Sequence, residues 1–316
     1  MVLPQFWQLS PLAVVAVVVG VAHEVGRRRL AVRQTPAHRR ARWHRSLAFY
    51  AGLTLMALVA SGPLQRWSMT WLSVHMISHV FEMFYLPPLL ILGTPWVPLL
   101  FAVPVERRRR WLRAYHLSSA GAVLRAPVKF FTHPVTAVLL FNGTMILWHL
   151  PRVYDWGSWH DWAMNWLMGP MFLVTGYLFW RIILPSHPGP SRGSPKVQVA
   201  AIVVTAFEML VLAMALAIFT KTPWYSMHVY MDGPAAALRD QRWAAGILWV
   251  CGDFWCFPAL SAAFQRSMAD NNGSDFLSTL FRRHQNMSAE EFQEARAQRV
   301  ASLNGSSESE HLNQVE

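Results

Sequence analysis

The chain has 316 residues, of which 53% are apolar and 14% charged, with a mean hydropathy of +0.24. Soluble domains carry about 25% charged residues, so this composition excludes a disordered protein and an ordinary cytosolic one. The net charge of +11 would suit a nucleic-acid-binding protein. Here, however, the basic residues lie between long apolar blocks. We therefore predict a protein of the lipid bilayer with no nucleic-acid partner.

A transmembrane helix needs about 20 mostly apolar residues. Seven segments qualify, and they predict an all-α integral membrane protein with a seven-transmembrane-helix bundle. Their approximate ranges are 4–22, 46–61, 69–92, 134–150, 159–184, 197–220 and 241–264. Pro87-Pro88 should kink or end the third helix, and residues 89–103 could form a re-entrant or interfacial element.

The basic residues predict the orientation of this bundle. Of 28 Lys and Arg, 23 fall on one side of the predicted spans and five on the other. The positive-inside rule then places the N-terminus outside and the C-terminus in the cytoplasm. The first apolar segment has no preceding basic residue, so it is not predicted to be a removable signal peptide.

Three regions follow from this topology. Residues 1–45 hold the first transmembrane helix and a basic cytoplasmic loop, and residues 46–266 form the transmembrane core. Residues 267–316 are predicted to be a cytoplasmic tail, partly disordered, with a short helix opened by a capping box at Ser288. Tryptophans at the outer ends of the spans, Trp148 among them, are typical of an interfacial belt.

Two histidines in the third span are the first candidate functional residues. His75 and His79 are four residues apart and lie on one helical face, with Glu82 nearly beneath His75 and with Met76 and Met83 in a neighbouring stripe. Polar residues at membrane depth face the bundle interior or a cavity. Imidazole binds copper, zinc or iron, and thioether favours Cu(I). The pair is therefore either a pair of metal ligands or two structural histidines bonded across helices.

Two further histidines flank the loop between the fourth and fifth spans. His149 ends one span and His160 opens the next, and Met164 and Met168 follow His160 on the same face. Because the loop is short, we expect His149 and His160 to lie close together. They either complete a site with His75 and His79 or belong to an amphipathic interfacial loop.

The remaining candidates are weaker. Glu208 and Asp253 lie in the middle of the sixth and seventh spans, and an intramembrane acid is a functional-site hypothesis. Cys251 and Cys256 are too few for a disulfide framework and are read as packing residues. Met227 and His228 of an outer loop are weak ligand candidates. The sequence has no phosphate loop, nucleophile elbow or HExxH motif, so no enzyme is predicted.

Several motifs follow one another in a specific order. They are His75-Met-Ile-Ser-His79, Leu86-Pro87-Pro88 through Gly93-Thr-Pro95, His133-Pro134, Trp148-His149-Leu-Pro151 with Tyr154-Asp155, Thr175 through Trp180, and Asp240-Gln241 with Gly246 to Trp249. Together they resemble the polytopic CtaG-like assembly factors of cytochrome c oxidase, of the caa(3)-oxidase kind. The resemblance covers roughly residues 45–265. Within the family, the sequence resembles the actinobacterial branch.

The resemblance implies a seven-helix factor of the bacterial plasma (inner) membrane that hands copper, as Cu(I) or Cu(II), to the oxidase. Its expected partners are cytochrome c oxidase subunits and periplasmic copper chaperones. His75, His79, His149 and His160 match the family's outer histidines. One departure is Met164, where many members have another histidine.

Other functions stay open at this point. A transporter could use Glu82, Glu208 and Asp253 as a path for protons or copper. A bis-His haem protein is a further reading, although His75 and His79 on one helix suit opposite axial positions poorly. A purely structural role in oxidase assembly is a third.

Overall fold

The computed structural model describes residues 10–184 and 193–285. Within them every regular element is a helix, which confirms the all-α prediction. The helices are α1 (Pro11–Ala31), α2 (Pro36–Ser61), α3 (Pro63–Ser68), α4 (Leu72–Val80), α5 (Leu86–Leu92), α6 (Trp96–Ala102), α7 (Val105–Leu117), α8 (Ser119–Phe131), α9 (Pro134–His149), α10 (Pro151–Ser158), α11 (Asp161–Ala163), α12 (Gly169–Ile183), α13 (Pro195–Ala217), α14 (Ser226–Asp232) and α15 (Pro234–Gln285). π-Helical segments join α4 to α5 (Phe81–Tyr85) and α11 to α12 (Met164–Met168).

Local sequence signals start many of these helices. Ser10 and Thr35 cap α1 and α2 by accepting hydrogen bonds from the backbone N–H groups of Ala13 and His38. Proline stands in the first turn of α1, α2, α9 and α13, where its fixed φ suits a helix and its missing N–H is not needed.

Four helical stretches of the described chain are long and apolar enough to cross a membrane. They are Leu72–Leu92, Met164–Ile183, Pro195–Ala217 and Pro234–Gln265. A fifth results if α8 and α9, which meet at a 63° bend, count as one broken span. The predicted spans at 4–22 and 46–61 correspond to α1 and α2. Both helices include charged residues, Glu24 and Arg27 to Arg29 in the first and Arg39 to Arg45 in the second, which shorten their apolar runs.

The proline pair does not end the third predicted span. The chain stays helical from Leu72 to Leu92, with the π-helical segment immediately before the prolines. Pro87 has no N–H for the carbonyl of Met83, four residues earlier. The indole Nε1 of Trp180 donates to that carbonyl at 2.9 Å. A neighbouring helix thus satisfies the backbone group that proline leaves open.

The predicted element after this span is the short helix α6. It packs against α1 at Gly26, where an added Cβ would lie 1.7 Å from the carbonyl oxygen of Pro98. The Arg29 guanidinium donates to the carbonyl of Ala102 at 2.7 Å. This close crossing therefore requires glycine at position 26.

The hydrophobic core lies in the middle of the bundle. Phe141 stacks on Phe179 with ring centroids 4.4 Å apart, and Phe84 stacks on Trp255 at 4.9 Å. A smaller cluster joins α1, α2 and α5 through Ala16, Phe49 and Leu86. The aromatic layer of the main core closes the bundle beneath the histidines of α4 and α9.

The chain divides into two compact units, Met1–Ala263 and Phe264–Glu316. All the site residues discussed below belong to the first unit. In the second, residues 264–285 are helical. The predicted short helix at Ser288 and the remaining tail lie outside the described residues.

Candidate functional site

Helix α4 brings two imidazoles together on one face, as its sequence spacing predicts. The ring centroids of His75 and His79 are 4.2 Å apart, with the rings in edge contact. Both side chains are buried. Because the rings touch, no haem fits between this pair of histidines.

His149 joins them from the end of α9. Its ring centroid is 6.4 Å from that of His79, and the side chain is only 4% exposed. Three buried imidazoles from two helices therefore share one polar cluster. Phe172 of α12 closes one side, with its ring centroid 4.3 Å from that of His79.

The hydrogen bonds of His149 fix the direction of its lone pair. Nδ1 is 2.7 Å from the carbonyl oxygen of Met145, which can only accept, so Nδ1 carries the proton in the neutral ring. Nε2 then presents a lone pair, and it lies 3.4 Å from the sulfur of Met76. An imidazole nitrogen and a thioether sulfur, each with a lone pair that can bind a metal, thus face each other in a buried position.

His75 contributes a second nitrogen with no hydrogen-bond partner. Its Nε2 is buried, and no hydrogen bond to it is present among the described residues. Buried polar atoms are nearly always bonded to protein, water or an ion. An orphaned imidazole nitrogen beside two other imidazoles is chemically suited to a cation.

Glu82 lies on the π-helical segment below the histidines. Its Oε2 is 3.5 Å from Nδ1 of His79, and its Oε1 would lie 3.3 Å from a Cβ at Gly169. The carboxyl group thus sits between His79 and the start of α12. π-Helical turns occur frequently at functional sites.

Two tyrosines and a histidine cover the cluster from α10 and from the start of α14. The Tyr154 hydroxyl lies 2.9 Å from Nε2 of His228, whose Nδ1 lies 3.1 Å from the carbonyl oxygen of Thr70. The Tyr225 hydroxyl donates to the carbonyl of His149 at 3.1 Å. Burial raises the pKa of both tyrosines and lowers the pKa of His228, which favours the neutral, hydrogen-bonding form of all three side chains.

Polar residues of α10 and α15 also hold the ends of other helices in place. Asp240 accepts from the backbone N–H of Leu72 at 2.5 Å and from that of Ser73 at 3.3 Å, which caps the N-terminus of α4. Asp155 accepts from the backbone N–H of Ser226 at 2.9 Å. Gln241 accepts from Trp224 and donates to the carbonyl of Leu216. The Asp240 contacts fix the start of the helix that carries His75 and His79.

The structure does not bring His160 to the cluster. Its side chain is exposed, stacks on Trp156 and has Nδ1 2.6 Å from the Trp156 carbonyl oxygen. The expectation that it lies beside His149 overlooked α10, which separates the two residues by eight helical residues, or about 12 Å of helix. Trp148 also differs from the expected interfacial belt, since it is buried beside Gly157.

Of the methionines predicted as metal ligands or as their neighbours, one contacts an imidazole and the others lie elsewhere. Met76 contacts His149 directly. Met83, Met164 and Met168 are buried in the core, and Met164 lies close to Gly157 on α10. No hydrogen bond between these three sulfur atoms and the imidazoles is present in the described part of the chain. Met227 is half-buried.

Among the other acids and the cysteines, the structure describes the side chains of Glu208 and Cys256. Glu208 on α13 is half-buried, and neither carboxylate oxygen has a hydrogen-bond partner among the described residues. Cys256 is half-buried and packs against the main core. The side chains of Asp253 and Cys251 lie outside the described residues.

A cleft of about 420 Å³ lies beside α1 and does not include the cluster. Ser10, Val14, Ala60, Gln65 and Trp166 are among its lining residues. None of the three buried imidazoles borders the cleft. The three imidazoles are instead buried.

The side chains of the cluster limit which metal ion it could bind. Within residues 10–184 and 193–285, no three His, Cys, Asp or Glu side chains are arranged to hold a metal ion by themselves. A metal here would therefore need the sulfur of Met76 in addition to imidazole. Imidazole with thioether is a donor set for copper, and thioether favours Cu(I).

The helices and the cluster define a class: an all-helical membrane-type protein with a buried imidazole and thioether cluster at one end of its bundle. Residues 22–270 match the family described as cytochrome c oxidase caa3 assembly factor (Caa3_CtaG). The chain belongs to this family, as its motifs predict.

Mycobacterial proteins described as uncharacterized are similar to this chain. Those of Mycobacterium bovis and Mycobacterium tuberculosis are each 25% identical over 213 residues, which is 65% of this chain and 31% of each relative. A protein of Mycobacterium leprae is 28% identical over 195 residues, covering 59% of this chain and 28% of the relative. The match thus spans less than a third of the relatives' length. No solved structure matches the chain significantly.

Proposed function

We propose that this protein is a non-enzymatic assembly factor that binds copper in the His75, His79, His149 and Met76 cluster and hands it to cytochrome c oxidase. Copper is the cargo of this function. The observation that carries the proposal is the Nε2 lone pair of His149 facing the Met76 sulfur at 3.4 Å. The orphaned Nε2 of His75 supplies a further donor in the same cluster.

The ligand types suit a site that must release its metal. The described cluster contains imidazole and thioether groups and no cysteine thiolate. Neutral donors leave a bound copper ion with its own charge uncompensated, so a partner offering thiolates can remove it. The covering tyrosines and His228 belong to short outer helices, where movement would open the cluster.

We propose the seven-span topology with the N-terminus outside and the C-terminus in the cytoplasm. The valines at positions 14, 15, 17, 18 and 21 of α1 are all exposed, which supports contact with lipid along that helix. Leu47 and Leu58 of α2 are exposed too. The arginine-rich stretches then lie on the cytoplasmic side and the histidine cluster on the outer side.

This topology determines the partners. The cluster would open toward the space outside the bacterial plasma membrane, where periplasmic copper chaperones and the copper-bearing oxidase domain meet it. Membership of the assembly-factor family supports oxidase subunits as the recipients.

Complementation of a deletion strain tests the proposal. Wild-type protein should restore oxidase activity in low copper, whereas the double variant His75→Ala/His79→Ala should not, and excess copper should rescue it. His160→Ala is the matched control, because the His160 side chain is exposed and its Nδ1 lies against the carbonyl oxygen of Trp156. Full activity of the double variant in low copper, at equal membrane abundance, would overturn the proposal.

A further inference from the structure

Helices α7 and α8 form a basic and apolar pair away from the histidine cluster. Helix α7 has five arginines in 13 residues, a single acid at Glu106, and no buried residue. Helix α8 follows directly and presents an apolar surface, with the following side chains exposed: Val123, Leu124, Val128, Phe130 and Phe131.

Two arginines fix this hairpin in place. Arg108 lies over the ring of Phe101 at 4.3 Å and is 3.5 Å from the carbonyl oxygen of Leu100. Arg125 of α8 donates to the carbonyl of Tyr115 on α7 and lies 5.8 Å from the Tyr115 ring centroid. The guanidinium group of Arg108 thus contacts the end of α6, and that of Arg125 contacts α7 within the hairpin.

Three other arginines of α7 converge on a groove. Arg109, Arg110 and Arg113 line a groove of about 380 Å³ together with Val105 and Glu106. Their spacings of three and four residues put Arg113 next to both of the others on the helix surface. No hydrogen bond or ion pair of these three guanidinium groups occurs in the described part of the chain. One carboxylate against three guanidinium groups leaves the groove with an excess of positive charge.

The neighbouring apolar helix indicates where this groove lies. Helices α8 and α9 together are apolar enough to form a broken span, so α8 extends from the hydrocarbon toward the basic α7. A basic helix beside an exposed apolar one is typical of the lipid–water interface. Lys129 of α8 adds another cation.

We infer that the groove of Arg109, Arg110 and Arg113 binds the phosphate headgroup of an anionic phospholipid. Guanidinium groups recognise phosphate oxygens through paired hydrogen bonds, and basic pockets at the cytoplasmic ends of membrane helices bind such headgroups. The exposed apolar side chains of α8 would accommodate the acyl chains of the same lipid. This inference is independent of copper.

Lipid binding by the purified full chain tests it. Native mass spectrometry in detergent would count phosphatidylglycerol retained by wild type and by Arg109→Gln/Arg110→Gln/Arg113→Gln. The substituted side chains are exposed, so the fold should persist. We expect affinity for phosphatidylglycerol to fall by about tenfold or more, while weak phosphatidylcholine binding stays unchanged. The triple lysine variant, which keeps the charge but loses the paired donors, should bind phosphatidylglycerol more weakly than wild type and more tightly than the glutamine variant.

A charge-matched control separates the groove from net charge. Arg282→Gln/Arg283→Gln/Arg296→Gln removes the same charge outside the family-matched region and should leave lipid binding unchanged. Equal retention by wild type and the α7 glutamine variant would overturn the inference. So would an equal loss in the control variant. Inorganic phosphate binding as tightly as phosphatidylglycerol would overturn the assignment to a lipid.

Discussion

At the scale of single residues, the decisive feature is the protonation of His149. A carbonyl oxygen at Nδ1 forces the lone pair of the neutral ring onto Nε2, and Nε2 faces sulfur rather than a hydrogen-bond donor. Two facing lone pairs gain nothing from each other. A soft cation between them would convert an unfavourable contact into two bonds.

His228 provides a pH-dependent contribution to stability. Burial lowers the pKa of His228 below its ordinary value of 6.5, so the folded chain binds fewer protons there than the unfolded chain. The contribution of neutral, buried His228 to the free energy of unfolding is complete above pH 6.5 and declines as the pH falls below that value. We expect His228→Gln to show a smaller drop in Tm between pH 7.5 and about pH 5.5 than wild type. An identical drop in both proteins would contradict this assignment.

At the scale of helices, long-range caps position the candidate ligands. The spacing of His75, His79 and Glu82 predicts their shared face, because it depends only on helical periodicity. Asp240 could not be found in this way, since it caps α4 from 168 residues away. Tyr154 and His228, 74 residues apart, are likewise joined by tertiary packing. Only the motif resemblance pointed to Tyr154 and Asp240.

Removing the Asp240 cap should loosen α4. Asp240→Ala leaves the N–H groups of Leu72 and Ser73 unsatisfied, and loss of such a cap costs about 0.5–2 kcal/mol. We expect a lower Tm together with weaker copper binding, because α4 carries two of the imidazoles. Asp232→Ala removes an exposed acid nearby and is the control. Equal Tm values for the two variants would count against the capping role.

The α1–α6 crossing offers a second test at this scale. Gly26→Ala places a methyl group against the Pro98 carbonyl, and overpacking of this kind costs about 1–3 kcal/mol. Gly143 on α9 has no atom within 4 Å of an added Cβ, so Gly143→Ala should be neutral or stabilising by about 0.5–1 kcal/mol. Thermal unfolding in detergent measures the Tm of each variant against that of wild type. Equal stability of both variants would show that α1 and α6 do not pack this closely.

At the scale of the whole molecule, the all-helical architecture was predictable from the apolar blocks of the sequence. Which residues make up the site was only partly predictable. The sequence predicted that His75, His79 and His149 lie close together, and the structure brings their rings into one cluster. It also predicted His160 nearby, but proline at position 151 starts an additional helix that carries His160 to an exposed position. A count of loop residues gives no information on whether the loop is extended or helical.

The proposed topology predicts the side of each loop. A green fluorescent protein fused after Gln34 or after Ser118 should fluoresce, because both positions would be cytoplasmic. Alkaline phosphatase fused after Thr222 should be active, because that loop would be outside. The reverse fusion at each site is the control. Fluorescence of the fusion at Thr222 would contradict the seven-span arrangement.

The most direct measurement is the copper content of the purified protein after incubation with Cu(I) under reducing conditions. Wild type is expected to hold about one copper per chain, since the soft donor set favours Cu(I). Met76→Leu, which conserves volume, should bind copper at least about tenfold more weakly. Met209→Leu, at another buried methionine, should match wild type. Copper below about 0.2 per chain in wild type, or equal affinity in the Met76 variant, would contradict the copper-handling role.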